Sequence, residues 1–358
     1  MNSAIRARYL VIWEKALVQG TPAIGKSQIL RRFTLEILDK RSHNRTEPSR
    51  SALFLLKLLS RFPNPEKSRL RFFLTRLLPF SPLKENPSTI EIFIFTSAKD
   101  LVILPLSIVG ASQAHEGSIS KITIVAPSSV SAEVNSVIAR LKINRIEVSY
   151  LSDEKLLKDF NLSSTEFVRG NIKMEIVKVL AGLVAQESHA LLIDGDTVLL
   201  RKRNWATKNR YLIMVAQEFS TSHINYDKSV LHKYEYLGLG FVTHHQLLRI
   251  ETLRELVQSL GGVKGTADSF NSAATKYYSG ADQVFPSEWQ LIGDFQSSVD
   301  YQKTVFANFS NLGLSRQKIG WLFDQVVELS EMEFCLNWLR NKSAGLGSIS
   351  FHGYKTDT

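Results

Sequence analysis

Cysteine is almost absent from this chain, with one residue, Cys335, in 358. A single thiol excludes a disulfide framework and a cysteine-ligated zinc site, and it fits a reducing compartment. Long apolar runs are missing too. The longest, Leu101 to Ala111, already contains Pro105 and Ser107 and falls well short of the roughly 20 residues that span a bilayer. Trp13, Glu14 and Lys15 stand where a secretory leader would need its apolar core. Internal repeats and long low-complexity tracts are absent. The expectation is a cytoplasmic protein with no membrane span. Its hydrophobic content of 44% against 22% charged residues is enough for a packed core.

What the chain does have is an excess of positive charge, 44 Lys+Arg against 34 Asp+Glu for a net +10. That excess is concentrated. Residues 1–88 hold 17 basic and 6 acidic residues, so the remainder holds 27 and 28 and is nearly neutral. Pro79, Pro82 and Pro87 punctuate the change. We therefore expect a basic helical region over 1–88 and an α/β domain over 89–358, with few signals beyond about residue 300. Within the first region, Leu70, Phe73, Leu74 and Leu77 share one helical face while the arginines fall largely elsewhere. Such a face either packs on the main body or lies against an anionic membrane at the inner face. No nucleic-acid module accompanies the charge, so nucleic acid is not an expected partner.

From residue 89 strands and helices alternate. Strands are expected at Thr89–Thr96, Lys121–Ala126, Arg145–Tyr150, Ala190–Ile193 and Tyr211–Ala216. Helices are expected after Asp100, at Ser131–Leu141 and at Asn171–Gln186. That order implies a mixed, mainly parallel sheet flanked by helices.

Two motifs compete for the function. Gly20-Thr-Pro-Ala-Ile-Gly-Lys-Ser27 satisfies the phosphate-loop pattern, but Trp13–Val18 before it reads as a helix, where that motif needs a buried strand. Leu191-Leu-Ile-Asp-Gly-Asp-Thr-Val198 places two carboxylates at i and i+2 just past the end of an apolar strand. Both point to one side of an extended backbone, at the sheet edge where open α/β folds bind ligands. Paired hard oxygen ligands there suit Mn²⁺ or Mg²⁺ beside a diphosphate. A polar turn closing a strand is the plainer reading of the same residues.

The stretch from about Glu91 to Phe295 resembles GT-A-type glycosyltransferases, in particular a bacterial family associated with surface polysaccharides. Four segments carry the resemblance: Phe95-Thr-Ser-Ala-Lys-Asp100, Val168-Arg-Gly-Asn171 leading to the Asp-Gly-Asp, Gly240-Phe-Val-Thr-His-His-Gln-Leu247, and Pro286-Ser-Glu-Trp-Gln-Leu-Ile-Gly293. The resemblance implies a GT-A (Rossmann-like) fold, a nucleotide-sugar donor and a glycan or lipid-linked acceptor. It implies Asp196 as metal ligand, with Asp194 on the metal or the ribose. Thr96, Ser97 and Asp100 would line the nucleotide pocket; Arg169 and Lys173, two cations one helical turn apart, either reach the diphosphate or form a solvated face. A capping role for Asp100 competes with this.

His244 and His245 are adjacent, so in an extended segment at most one faces the site; His244 is the candidate at the sugar or acceptor. Glu288 is the candidate general base if configuration inverts, or a hydroxyl-binding group if it is retained. Trp289 beside it offers a ring for a sugar to stack on. Near the chain's end, His352 and Lys355 are candidates for the metal and the diphosphate, against the alternative of a frayed tail. The competing functional readings are a phosphate-loop nucleotide-binding protein and an inactive GT-A-like scaffold.

Overall fold

Strand β1 (Ile90–Phe95) is buried along its whole length and forms the centre of the main sheet. The computed structural model describes residues 83–216, 220–231, 237–308, 311–315, 328–343 and 346–352. The Gly20–Ser27 loop, nearly all of the basic N-terminal region and Lys355 lie outside these residues.

On one side of β1 lies β2 (Ile119–Ala126), followed by β3 (Glu147–Ser152), both parallel. On the other lies parallel β4 (His189–Asp194), and β7 (His245–Arg249) closes that edge antiparallel. The order is β3-β2-β1-β4-β7. Parallel strands covered on both faces read as continuous apolar runs, and Ile-Glu-Ile-Phe-Ile-Phe does so apart from Glu91. That buried carboxylate accepts the backbone N–H groups of Gln186 at 2.5 Å and Glu187 at 3.3 Å.

Side chains alternate between two apolar layers. Ile92 and Ile94 face a layer with α1 (Leu104–Ser112), α2 (Ser131–Leu141) and α9 (Leu329–Lys342). Phe93 and Phe95 face the other, with α3 (Asp153–Asp159), α4 (Gly170–Leu183), α6 (Ile250–Ser259), α7 (Gly262–Tyr278) and α8 (Glu288–Val299). Helix α5 (Thr221–Val230) packs on α8. The α/β class read from the sequence is the class observed, and α2 has the bounds expected.

Helix α8 is buried from Glu288 to Ser297, polar residues included. Its glutamines act as backbone surrogates. Gln290 Oε1 accepts the Phe241 N–H at 2.9 Å and its amide donates to the Leu239 carbonyl at 3.0 Å. Gln296 does the same with Arg249 N–H at 2.7 Å and Leu247 O at 3.1 Å. Gly293 admits the Phe241 ring, which a Cβ there would meet at 2.3 Å.

Two smaller sheets complete the fold. β5 (Thr197–Leu199) pairs antiparallel with β10 (Ser348–His352), which pairs parallel with β9 (Asn311–Ser315). β6 (Tyr211–Val215) pairs parallel with β8 (Thr304–Asn308). Among the described residues no helix is long and apolar enough to cross a membrane.

Candidate active site

The Asp194-Gly195-Asp196 turn is held by hydrogen bonds from four elements. Gly195 N–H donates to Phe95 O at the end of β1 at 2.6 Å, and Ser107 Oγ of α1 donates to Gly195 O at 3.1 Å. Asp194 N–H donates to His244 O at 2.8 Å, and Phe351 N–H of β10 donates to Asp196 O, also at 2.8 Å. The middle residue must be glycine. A Cβ there would sit 2.6 Å from Phe95 O and 2.8 Å from Thr96 Cα, both backbone atoms.

Fixed in this way, the turn collects polar side chains remote in sequence. Asp194, Asp196 and His244 each offer one ligand atom, and these atoms lie within 4.8 Å of one another. His352 Nδ1 lies 3.5 Å from Asp196 Oδ2, and its ring centroid is 4.9 Å from that of His244. His352 is an ordered residue of β10 and only 5% exposed. His244 occupies the left-handed region at φ 41°, a costly conformation for a residue with a side chain. Its ring meets Asp194 Oδ2 at 3.1 Å, whereas the His245 ring packs edge-on against Trp205. The two rings diverge as adjacent side chains should. The ligand atoms of Asp194, Asp196 and His244 are close enough together to share a divalent cation, and His352 flanks them beside Asp196.

Electrostatics set the charge states. Burial would raise the Asp194 carboxyl, but Lys178 at 2.7 Å and His244 outweigh it and hold it well below the usual carboxylate range. For His244 burial pulls downward, and the hydrogen bond to Asp194 with the nearby Asp196 charge carries the ring above its ordinary value.

Lys178 and Glu175 stand at the site and were not among the residues the sequence suggested. Lys178 Nζ bridges Asp194 Oδ1 and Glu288 Oε1, at 2.7 and 2.6 Å. Glu175, one turn earlier on α4, accepts the Glu288 N–H at 2.8 Å. Burial pushes Glu175 up to about 7, opposed by Lys178 and assisted by Asp194. The signal was a lysine amid Ile176, Val177, Val179 and Leu180, where solvent alone does not explain a charge.

The remaining candidates are distributed as follows. Glu288 is fully buried, and among the described residues its Oε2 has no hydrogen-bond partner. Trp289 does not offer a ring to solvent: it is 4% exposed, in the apolar layer, with Lys178 Nζ 4.5 Å from its ring centroid. Thr96 abuts the Gly195 turn, and its buried hydroxyl has no partner among the described residues. Ser97 Oγ donates to Asp100 Oδ2 at 2.5 Å within one 3-10 turn, and the N-cap of the following helix α1 is Ile103, not Asp100. Arg169 lies over the Tyr278 ring at 3.9 Å. Lys173 pairs with Asp153 at 2.8 Å. A cavity of about 690 Å³ lined by Gln113, His115, Ile146, Lys202 and Arg340 holds none of the site residues; it lies where β2 and β3 begin, whereas the Asp-Gly-Asp turn follows the end of β4.

No protein-family profile matches the sequence, and no curated protein matches it. Solved structures do match in shape. Mouse xyloside xylosyltransferase 1, in an apo crystal form, gives a TM-score of 0.44 at 10% identity, covering 76% of this chain and 100% of its own. The galactosyltransferase LgtC, crystallised with donor and acceptor sugar analogues, gives 0.38 at 13% identity over 74% of this chain and 87% of its own. An active-site mutant of LgtC gives 0.36 at the same identity and coverage.

Proposed function

We propose that residues 89–358 are a metal-dependent glycosyltransferase of GT-A type, moving a sugar from a nucleoside-diphosphate donor to a glycan or lipid-linked acceptor. The observation that carries this reading is the convergence of Asp194, Asp196, His244 and His352 at one end of β4, beside the Lys178–Glu288 pair. Asp194, Asp196, His244 and His352 would hold Mn²⁺. Bound there, the ion supplies positive charge against a departing diphosphate.

The chain's own residues do the rest. Thr96, with its unpartnered hydroxyl, and Ser97 and Asp100 flank the nucleotide at the end of β1. Lys178 fixes Asp194 on one side and Glu288 on the other, so the metal side and the sugar side of the crevice are held in one geometry. Glu288 Oε1 is committed to Lys178, which leaves the buried Oε2, without a partner among the described residues, as its one oxygen for a sugar hydroxyl once the site admits substrate. A free oxygen on a buried carboxylate is costly unless a ligand supplies the missing donor. The basic residues 1–88 would hold this nearly neutral domain near an anionic membrane; binding of the full chain to anionic but not neutral vesicles tests that part.

Thermal shift with nucleoside diphosphates tests the site. Stabilisation should need Mn²⁺, vanish in Asp196→Ala and persist in Lys26→Ala. Loss of nucleotide binding in Lys26→Ala alone would transfer the function to the Gly20–Ser27 loop.

A further inference from the structure

The cavity of about 690 Å³ where β2 and β3 begin lies away from the Asp-Gly-Asp turn and has the size of a small-molecule site. Ile119, Ile146 and Leu200 give it an apolar wall, and Arg201, Lys202 and Arg340 give it three cations. Among the described residues no carboxylate lines it.

The cations here are uncompensated. Lysines elsewhere in the fold meet acids, as Lys121 meets Glu147 and Lys264 meets Glu166. Among the described residues Arg201, Lys202 and Arg340 form no ion pair. Arg340 is held from α9 across the cavity: its Nε donates to Leu200 O at 2.7 Å and its Nη1 to Gln113 Oε1 at 2.8 Å, and Nη2 takes no part in either bond. Arg201 Nε donates to Leu346 O at 3.1 Å, which leaves both of its Nη groups. Burial lowers the Arg340 guanidinium, and no acidic neighbour opposes it. His115 also lines the cavity but has no donor to spare, with Nε2 at 2.7 Å from Ser88 O and Nδ1 at 3.2 Å from Arg203 O.

Three cations without a counter-charge call for a multiply charged anion. Guanidinium N–H pairs match two oxygens of a phosphate. A phosphate monoester, at about −2 near neutral pH, balances this set better than a single carboxylate does, and the apolar wall accommodates the group that the phosphate is attached to. The end of the basic segment runs beside the cavity. Asn204 donates to Leu83 O at 3.1 Å and to Glu85 O at 2.9 Å, and His115 meets Ser88. A protein held on an anionic surface by that segment would bring this face near phosphate headgroups.

We propose that this cavity binds a phosphate monoester, with the phosphate oxygens on Arg201, Lys202 and Arg340 and the attached group against Ile119, Ile146 and Leu200. The site is independent of the transferase reading. The test is calorimetric titration of the full chain, in EDTA, with inorganic phosphate, glycerol 3-phosphate and dihexanoyl phosphatidic acid. At least one of the two esters should bind. Arg340→Gln and Lys202→Ala should each weaken that binding by roughly tenfold. Lys202 is exposed and makes no ion pair among the described residues, so its removal leaves the fold intact. The lipid bound about tenfold tighter than glycerol 3-phosphate makes the ligand a membrane headgroup, and comparable binding makes it a soluble ester; either supports the site. No binding of either ester overturns it, as does affinity unchanged in both variants. Binding lost in Asp196→Ala or in Lys26→Ala overturns it too, because the phosphate then sits at the Asp-Gly-Asp turn or in the Gly20–Ser27 loop.

Discussion

The backbone N–H of Phe351 donates to the carbonyl oxygen of Asp196 at 2.8 Å, joining the last described strand to the turn that carries the carboxylates. The same register sets Ser350 opposite Thr197, with their hydroxyls 2.8 Å apart, and delivers His352 beside Asp196. His352→Ala should leave the fold intact and weaken Mn²⁺ binding by roughly 10–100-fold, the scale of losing a group that supports a metal site. Calorimetric titration with Mn²⁺ reads this directly. Unchanged affinity would remove His352 from the ligand set.

Gly195 has no room for a side chain. Gly195→Ala should cost about 1–3 kcal/mol in chemical denaturation, the usual range for forcing an extra group into packed surroundings. Because the obstructing atoms belong to the backbone of β1, the turn must move, and Mn²⁺ affinity should fall with stability. Gly170→Ala is the control, since a Cβ there meets nothing within 4 Å. Equal behaviour of the two variants would refute the steric argument.

Lys178 pairs with two carboxylates at once. Lys178→Met leaves Asp194 and the buried Glu288 without their shared cation, and removing one partner of a buried pair costs about 3–5 kcal/mol. The double variant Lys178→Met with Glu288→Gln should recover part of that loss, because one stranded charge is gone. A double variant no better than the single would mean that Lys178 acts by packing on Trp289 instead.

Stability should decline on acidification below neutrality, and His189 is one cause. Burial lowers its ring to about 4, with Arg249 and His115 adding to the effect. The unfolded chain takes up the proton near 6.5 and the folded chain does not. The neutral-state stability is therefore fully present above about 6.5 and is lost as pH falls, reaching roughly 3 kcal/mol at pH 4 from this group alone. His189→Gln should flatten the melting temperature between pH 7 and 4. An unchanged slope would assign the acid sensitivity to other groups.

The main sheet was legible because its strands are apolar runs cut by clear breakers. Lys121–Ala126 and Ala190–Ile193 were found to within two residues of β2 and β4. The β5-β10-β9 sheet was not, because its strands are three to five residues long and their pairing joins residues far apart in the chain. At the site, the carboxylates and His244 announce themselves by residue type and spacing. Lys178 and Glu175 do not, being spaced like any charged pair on a helix; only the turn at the end of β4 turns them into parts of a site. Trp289 shows the converse. Its neighbour suggested a sugar-stacking ring, yet helical spacing carries it into the core.

The most direct measurement is release of nucleoside diphosphate from a panel of nucleotide sugars, with and without Mn²⁺. The proposed function requires that folded protein hydrolyse at least one donor in an Mn²⁺-dependent manner, with activity abolished in Asp196→Ala and strongly reduced in Glu288→Gln. A flat response across the panel from protein with an intact melting transition would contradict it.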